Sequence, residues 1–123
     1  MKTNSLRIGN YVFHAGKIIA VTSVFPKGIN ASTDPATGRV SYIRAAEIEP
    51  IPLSTDMLQR LGMRQNAIRW VVRGVDNLYV DRMVNNYYIS VGNRGNSVCQ
   101  VHTVHQLQNL LSDGWGVDLK LRR

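Results

Sequence analysis

Cysteine occurs once in the 123 residues, as Cys99, so no disulfide can form within the chain. Folding must then rest on apolar burial, and a lone thiol fits a reducing compartment. Carboxylates are scarce: eight Asp and Glu in all, with Glu47 and Glu49 as the two glutamates. These stand at i, i+2 of a strand-like run and so on one face. A glycosidase holds its acid pair across a cleft, so a solvated strand face is the better description. The glycines of Gly92 to Gly95 lack the Lys and Ser/Thr that complete a phosphate loop. No G-x-S-x-G elbow places a nucleophile beside a histidine. Enzymatic activity is not expected. No apolar run approaches the ~20 residues of a spanning helix, and Met1-Lys2-Thr3-Asn4-Ser5 runs straight into a strand-like segment. The expectation is no membrane and no leader, with the host-cell cytoplasm or a virion as location.

Basic residues are what the chain has in excess. Fifteen Lys and Arg give a formal charge of +7 and a sequence pI near 10.1, while 44% of residues are hydrophobic, enough for a core without metal or bridges. Residues 1–52 hold six basic and three acidic side chains and residues 53–123 hold nine and five, so the excess is spread along the chain. A distributed positive surface favours nucleic acid or an acidic protein surface as partner. It also serves solubility alone.

Taken in order, Leu6 to His14 and Lys17 to Val24 read as two strands around an Ala15-Gly16 turn, the second rich in β-branched residues. This hairpin resembles the start of SH3-like barrels. Pro26 to Gly38 has loop composition and is expected to be a long mobile loop, flanked by Lys27 and Arg39. Val40–Ile43 and Ala46–Ile51 follow as short strands. Pro50 and Pro52 end the sheet. Ser54 caps a short helix with Leu53 and Leu58 as a hydrophobic staple, and Gly62 ends it.

Strands are then expected at 68–73, 78–84, 87–91 and 97–101. Thr103-x-x-Gln106 spells a capping box, with Val104, Leu107, Leu110 and Leu111 as one apolar helix face and Gly114 as the stop. His105 and Asn109 fall on the side away from the leucines, with Gln108 at the boundary. Asp118 to Leu121 adds an edge strand. The fold class is α+β: a single antiparallel, β-rich domain over 1–123. An SH3-like half spans 1–52, and 53–123 carries a short middle helix, a β-meander and a closing helix.

Three segments carry a family resemblance: Leu6-Arg7-Ile8-Gly9-Asn10-Tyr11-Val12, Ile51-Pro52-Leu53-Ser54, and Val104-His105-Gln106-Leu107-Gln108-Asn109-Leu110. With them the chain resembles small uncharacterised proteins of Bacteroidota bacteriophages and prophages. Those begin with an L-R-x-G-N-x-V strand, carry an I-P-L-[ST] helix entry and end on V-H-Q-L-Q-N-L. The resemblance implies a phage or mobile-element origin and brings no activity with it.

Cys99, His102 and His105 recur every three residues, which invites zinc. The set lacks a fourth ligand and spans a strand, a junction and a helix turn, so neither metal nor cofactor is expected. Arginines interleaved with aromatics are the remaining signal. Arg69, Arg73, Arg82 and Arg94 lie near Tyr79, Tyr87 and Tyr88. On one sheet face they would offer phosphate contacts and a stacking platform, joined by Lys17 and Arg39 from the hairpin side. The leading expectation is therefore a small non-enzymatic binding protein for nucleic acid or a nucleic-acid-handling complex. An inhibitor of a host defence protein is the alternative, acting through Lys27 and the 26–39 loop or through His105, Gln108 and Asn109. A virion assembly role is the third.

Overall fold

The computed structural model describes residues 1–34, 37–92 and 96–122. Two antiparallel sheets and two α-helices make up the α+β fold. The first sheet runs in chain order: β1 (Tyr11–His14), β2 (Lys17–Phe25), β3 (Gly28–Asp34) and β4 (Arg39–Arg44). α1 (Thr55–Arg60) follows. The second sheet is a meander of β5 (Arg64–Asn66), β6 (Arg69–Val71), β7 (Leu78–Met83), β8 (Asn86–Val91) and β9 (Asn96–Val101), closed by α2 (Val104–Trp115). No helix among the described residues is long and apolar enough to cross a membrane.

The first sheet buries Val12, Ile19, Val21, Ile29, Ala31 and Ile43 against Leu6 and Ile48. The other face of its β1–β2 end packs Tyr11, Phe13 and Ile18 onto the larger cluster. That cluster joins α1 (Met57, Leu58), the inner face of the meander (Trp70, Val80, Ile89) and α2 (Val104, Leu107, Leu111). Sheet one therefore has apolar residues on both faces at β1–β2.

Several sequence expectations are corrected here. The segment 26–39 is not a long loop: Pro26-Lys27 is a two-residue turn and β3 occupies most of the remainder. Polar composition misled because Asn30, Ser32 and Thr33 are half-buried on a strand with neighbours on both sides. Gly28, which looks like a loop glycine, is buried under Tyr42 and the carbonyl of Ile43. Ala46–Ile51 is not a strand. Ala45–Glu47 forms a 3-10 turn, and what remains of pairing is one bridge between Phe13 and Glu49. Glu47 instead meets Arg44 at 3.1 Å. Among the described residues the four strands of the expected SH3-like half form an open sheet and close no barrel. Residues 118–121 form no edge strand, β5 precedes the expected strands, and the strand expected at 68–73 is confined to Arg69–Val71, with Ile68 exposed before it.

The helix starts follow their sequence. Ser54 Oγ accepts from Met57 N–H at 3.1 Å, and Thr103 Oγ accepts from Gln106 N–H at 3.3 Å. Gln106 reaches back one residue further than a capping box requires, its Oε1 accepting from His102 N–H at 2.8 Å. α2 continues past Gly114 and ends at Gly116, whose φ of 67° is the left-handed cap.

Candidate nucleic-acid interface

The predicted arginine platform does not assemble among the described residues. Residues directly opposed in antiparallel strands share a face. Arg69 stands opposite Asp81, which stands opposite Tyr88, and this row is on the outer face with Tyr79. Arg82 stands opposite Tyr87 and, one strand on, Val101, both buried, so it belongs to the other face. Arg73 lies in the turn after β6, and Arg94 falls outside the described residues.

Arg69 is engaged within the chain. Its Nε donates to Asp81 Oδ1 at 3.0 Å and its Nη2 to Oδ2 at 3.3 Å, and the guanidinium sits 4.2 Å from the Tyr79 ring centroid. Asp81 compensates the charge expected to meet phosphate, and the cation–π contact holds the guanidinium against the Tyr79 ring.

The helix face of His105, Gln108 and Asn109 also differs from expectation. His105 and Gln108 are buried at 8% and 6% exposure. Gln108 Oε1 accepts from Tyr11 N–H at 3.0 Å, and its Nε2 donates to Gly9 O at 3.0 Å and Leu119 O at 3.1 Å. Asn109 accepts from Asn10 Nδ2 at 2.9 Å and donates to Ser5 O at 2.9 Å. An isolated helical wheel puts Asn109 outward and Gln108 at the boundary. The structure turns them toward the β1 edge, whose outward N–H and C=O groups need partners. Next to them Arg7 and Asp113 form a two-pronged ion pair at 2.5 and 2.7 Å, which holds the Asp113 carboxyl below its usual range. Burial pushes the His105 imidazole below its ordinary value, disfavouring the cation. His105 and Asn109 keep one edge in a groove of about 590 Å³ beside Met1, Pro50 and Leu110.

Lys27 is exposed at the β2–β3 turn. Lys17 and Arg39 are exposed at the opposite end of the sheet, as the alignment of Ala20, Ser32 and Val40 requires. Cys99 packs toward the main core, His102 is exposed and His105 is buried, so the three share no centre.

A different set of cations comes together. Past α2 the chain runs as a strap across the seam between the sheets. Leu119 is buried, its carbonyl held by Gln108. The Leu121 N–H donates to the Tyr11 hydroxyl at 3.1 Å, and the Arg122 N–H donates to the Arg60 carbonyl at 2.6 Å, at the open end of α1. Gly62, with φ of +86°, makes room: a Cβ there would lie 3.0 Å from the Arg122 Nε.

The strap thus builds two adjoining grooves that share Arg122. One, of about 460 Å³, has Tyr11, Ile18, Ala20 and Ser32 as floor and Arg60, Lys120 and Arg122 at its rim. The other, of about 320 Å³, lies between Trp70, Met63 and Gln59 with Arg64, Arg73 and Arg122 around it. A third hollow links Arg60 to Lys17, and its Asp56 is the one carboxylate lining any of these three grooves among the described residues. Lys17, Arg60, Arg122, Arg64 and Arg73 form a continuous band. None of them pairs with a carboxylate among the described residues, while Lys120 meets Asp118 at 3.6 Å.

Sequence reasoning found Lys17 and Arg73 and missed Arg60, Arg64, Lys120 and Arg122. A local signal existed for one of them: Arg60 is the last residue of a helix whose cap and staple are plain in the sequence. Nothing local announces that residue 122 returns to residue 60. No family model, curated protein or solved structure matches this chain.

Proposed function

We propose that the chain is a small non-enzymatic, phage-type binding protein that engages nucleic acid, or a complex handling it, through the band Lys17–Arg60–Arg122–Arg64–Arg73. The observation that carries this is the run of cations over contiguous grooves, none of them paired with a carboxylate among the described residues. Exposed cationic side chains that lie close together repel one another and are relieved by a polyanion, which also releases its condensed counterions. Five such contacts give a log–log salt slope of about −3.5 on a single strand or about −4.5 on a duplex.

Fluorescence anisotropy with labelled single- and double-stranded DNA and RNA, at low and near-physiological salt, tests this. Arg60→Ala and Arg122→Ala should each weaken binding across sequences and flatten the slope by about 0.7–0.9. A flat salt response, or no binding at low salt, overturns the proposal. A second reading, inhibition of a host protein, draws support from the groove beside α2, where Met1, Pro50 and Leu110 supply apolar walls. Leu110→Arg should abolish that association and leave polyanion binding intact, as judged by calorimetry with the candidate host protein.

A further inference from the structure

The two strap-built grooves differ in a way that selects among nucleic acids. A purely electrostatic patch needs no depth, yet the first groove has a floor of Tyr11, Ile18, Ala20 and Ser32 beneath its cationic rim. The floor follows from register: Tyr11, Ala20 and Ser32 are aligned across β1, β2 and β3 on one face of the sheet. Two small side chains beside a large aromatic one leave a hollow. The rim is fixed at the backbone, because Leu119, Leu121 and Arg122 are each tied by a hydrogen bond to α2, β1 or α1. A volume near 460 Å³ falls within the range of ligand sites. The neighbouring groove places Arg64 and Arg73 beyond the shared Arg122.

We propose that the first groove holds one unstacked nucleotide of a single strand, its base on the Tyr11–Ile18–Ala20 floor and its phosphate among Arg60, Lys120 and Arg122, with the next phosphate passing Arg122 toward Arg64 and Arg73. This rests on the nucleic-acid reading and narrows it. A duplex keeps its bases stacked inside and presents phosphates, so it would touch the rim and leave the floor empty. Single-strand binding joins a cationic track to surfaces that take bases, and the two grooves supply both. A free nucleotide has the same chemistry as one unit of the strand but uses only the first groove.

The test uses the whole chain and labelled oligothymidylate of about 12 nucleotides, within the usual site sizes, beside a duplex of equal length. Ala20→Phe fills the floor and leaves every cation in place. Ser32→Phe does the same from the next strand and serves if the first variant does not melt cooperatively. The expected result is single-strand binding weakened by about 5- to 160-fold, the range for losing one base contact, with duplex binding unchanged. Arg122→Ala should weaken both. Single-strand binding that ignores the filled floor overturns the proposal, as does thymidine 5′-monophosphate binding as tightly as the oligonucleotide. Tight duplex binding with an indifferent floor leaves the broader nucleic-acid reading standing, whereas no binding to either probe removes both.

Discussion

Gln108→Leu is the most exacting perturbation of this fold. The parent side chain is 6% exposed and makes three hydrogen bonds, to Tyr11, Gly9 and Leu119. Leucine has nearly the same volume and a higher local apolar preference, so intuition from the helix alone says that the change stabilises. Three lost bonds at about 1 kcal/mol each make the net cost about 3 kcal/mol. The Tyr11 N–H, left facing methyl groups, adds about 1–2 kcal/mol, and the extra apolar burial returns about 1 kcal/mol. A net loss of about 3–4 kcal/mol is a large share of the ~5–15 kcal/mol available to a domain. At about 4 °C per kcal/mol for this length, the midpoint should fall by about 12–16 °C. Thermal and urea melts followed by circular dichroism measure it. Gln106→Ala on the same helix is the control: it removes one bond, to His102 N–H, and should cost about 1 kcal/mol. A Gln108→Leu midpoint within about 2 °C of the parent would show that the polar joint does not hold the helix to the sheet.

Three further outcomes are expected. Gly28→Ala should cost more than about 2 kcal/mol by overpacking. Its Cβ would lie 2.6 Å from the Tyr42 hydroxyl and closer still to the Ile43 carbonyl, so adding Tyr42→Ala should not restore the melting midpoint. Asp81→Ala removes the carboxylate from the Arg69 guanidinium over Tyr79, and since the Arg69 side chain retains 21% exposure the cost is about 1–3 kcal/mol rather than that of a fully buried pair. A double-mutant cycle with Arg69→Ala should show that coupling, and additive effects would deny it. His105 has its folded pKa lowered below 6.5 by burial, so the unfolded chain takes up the proton more readily. Its stability contribution is complete above that value and declines as pH falls below it. His105→Gln should flatten the stability profile across about pH 5–7, where histidine titrates, and parallel profiles would refute this.

Local chemistry was legible wherever one short segment decides the outcome. The caps at Ser54 and Thr103 and the Ala15-Gly16 turn are each specified by a few adjacent residues. The 28–34 strand was not, because Asn30, Ser32 and Thr33 owe their conformation to flanking strands rather than to propensity. Asn109 falls on the outer side of the wheel and Gln108 at its boundary, since a wheel cannot tell water from a polar sheet edge. The cationic band was hidden for a related reason. Arg60 and Arg122 are 62 residues apart and meet through a backbone bond at a helix end, while the more conspicuous Arg69 is engaged by Asp81 and Tyr79.

The joint between the two ends of the chain also sets the order in which the fold can be completed. The outward edge of β1 is satisfied at Phe13 by Glu49, but at Tyr11 by Gln108, 97 positions later, and the Tyr11 hydroxyl waits for Leu121, 110 positions later. Such distant contacts raise contact order and slow folding. As the chain leaves the ribosome the first sheet emerges early with part of its edge unpaired, an invitation to pair with another nascent chain. Residues 108–122 therefore seal the first strand, and the two strap-built cationic grooves come into being only once that segment has docked.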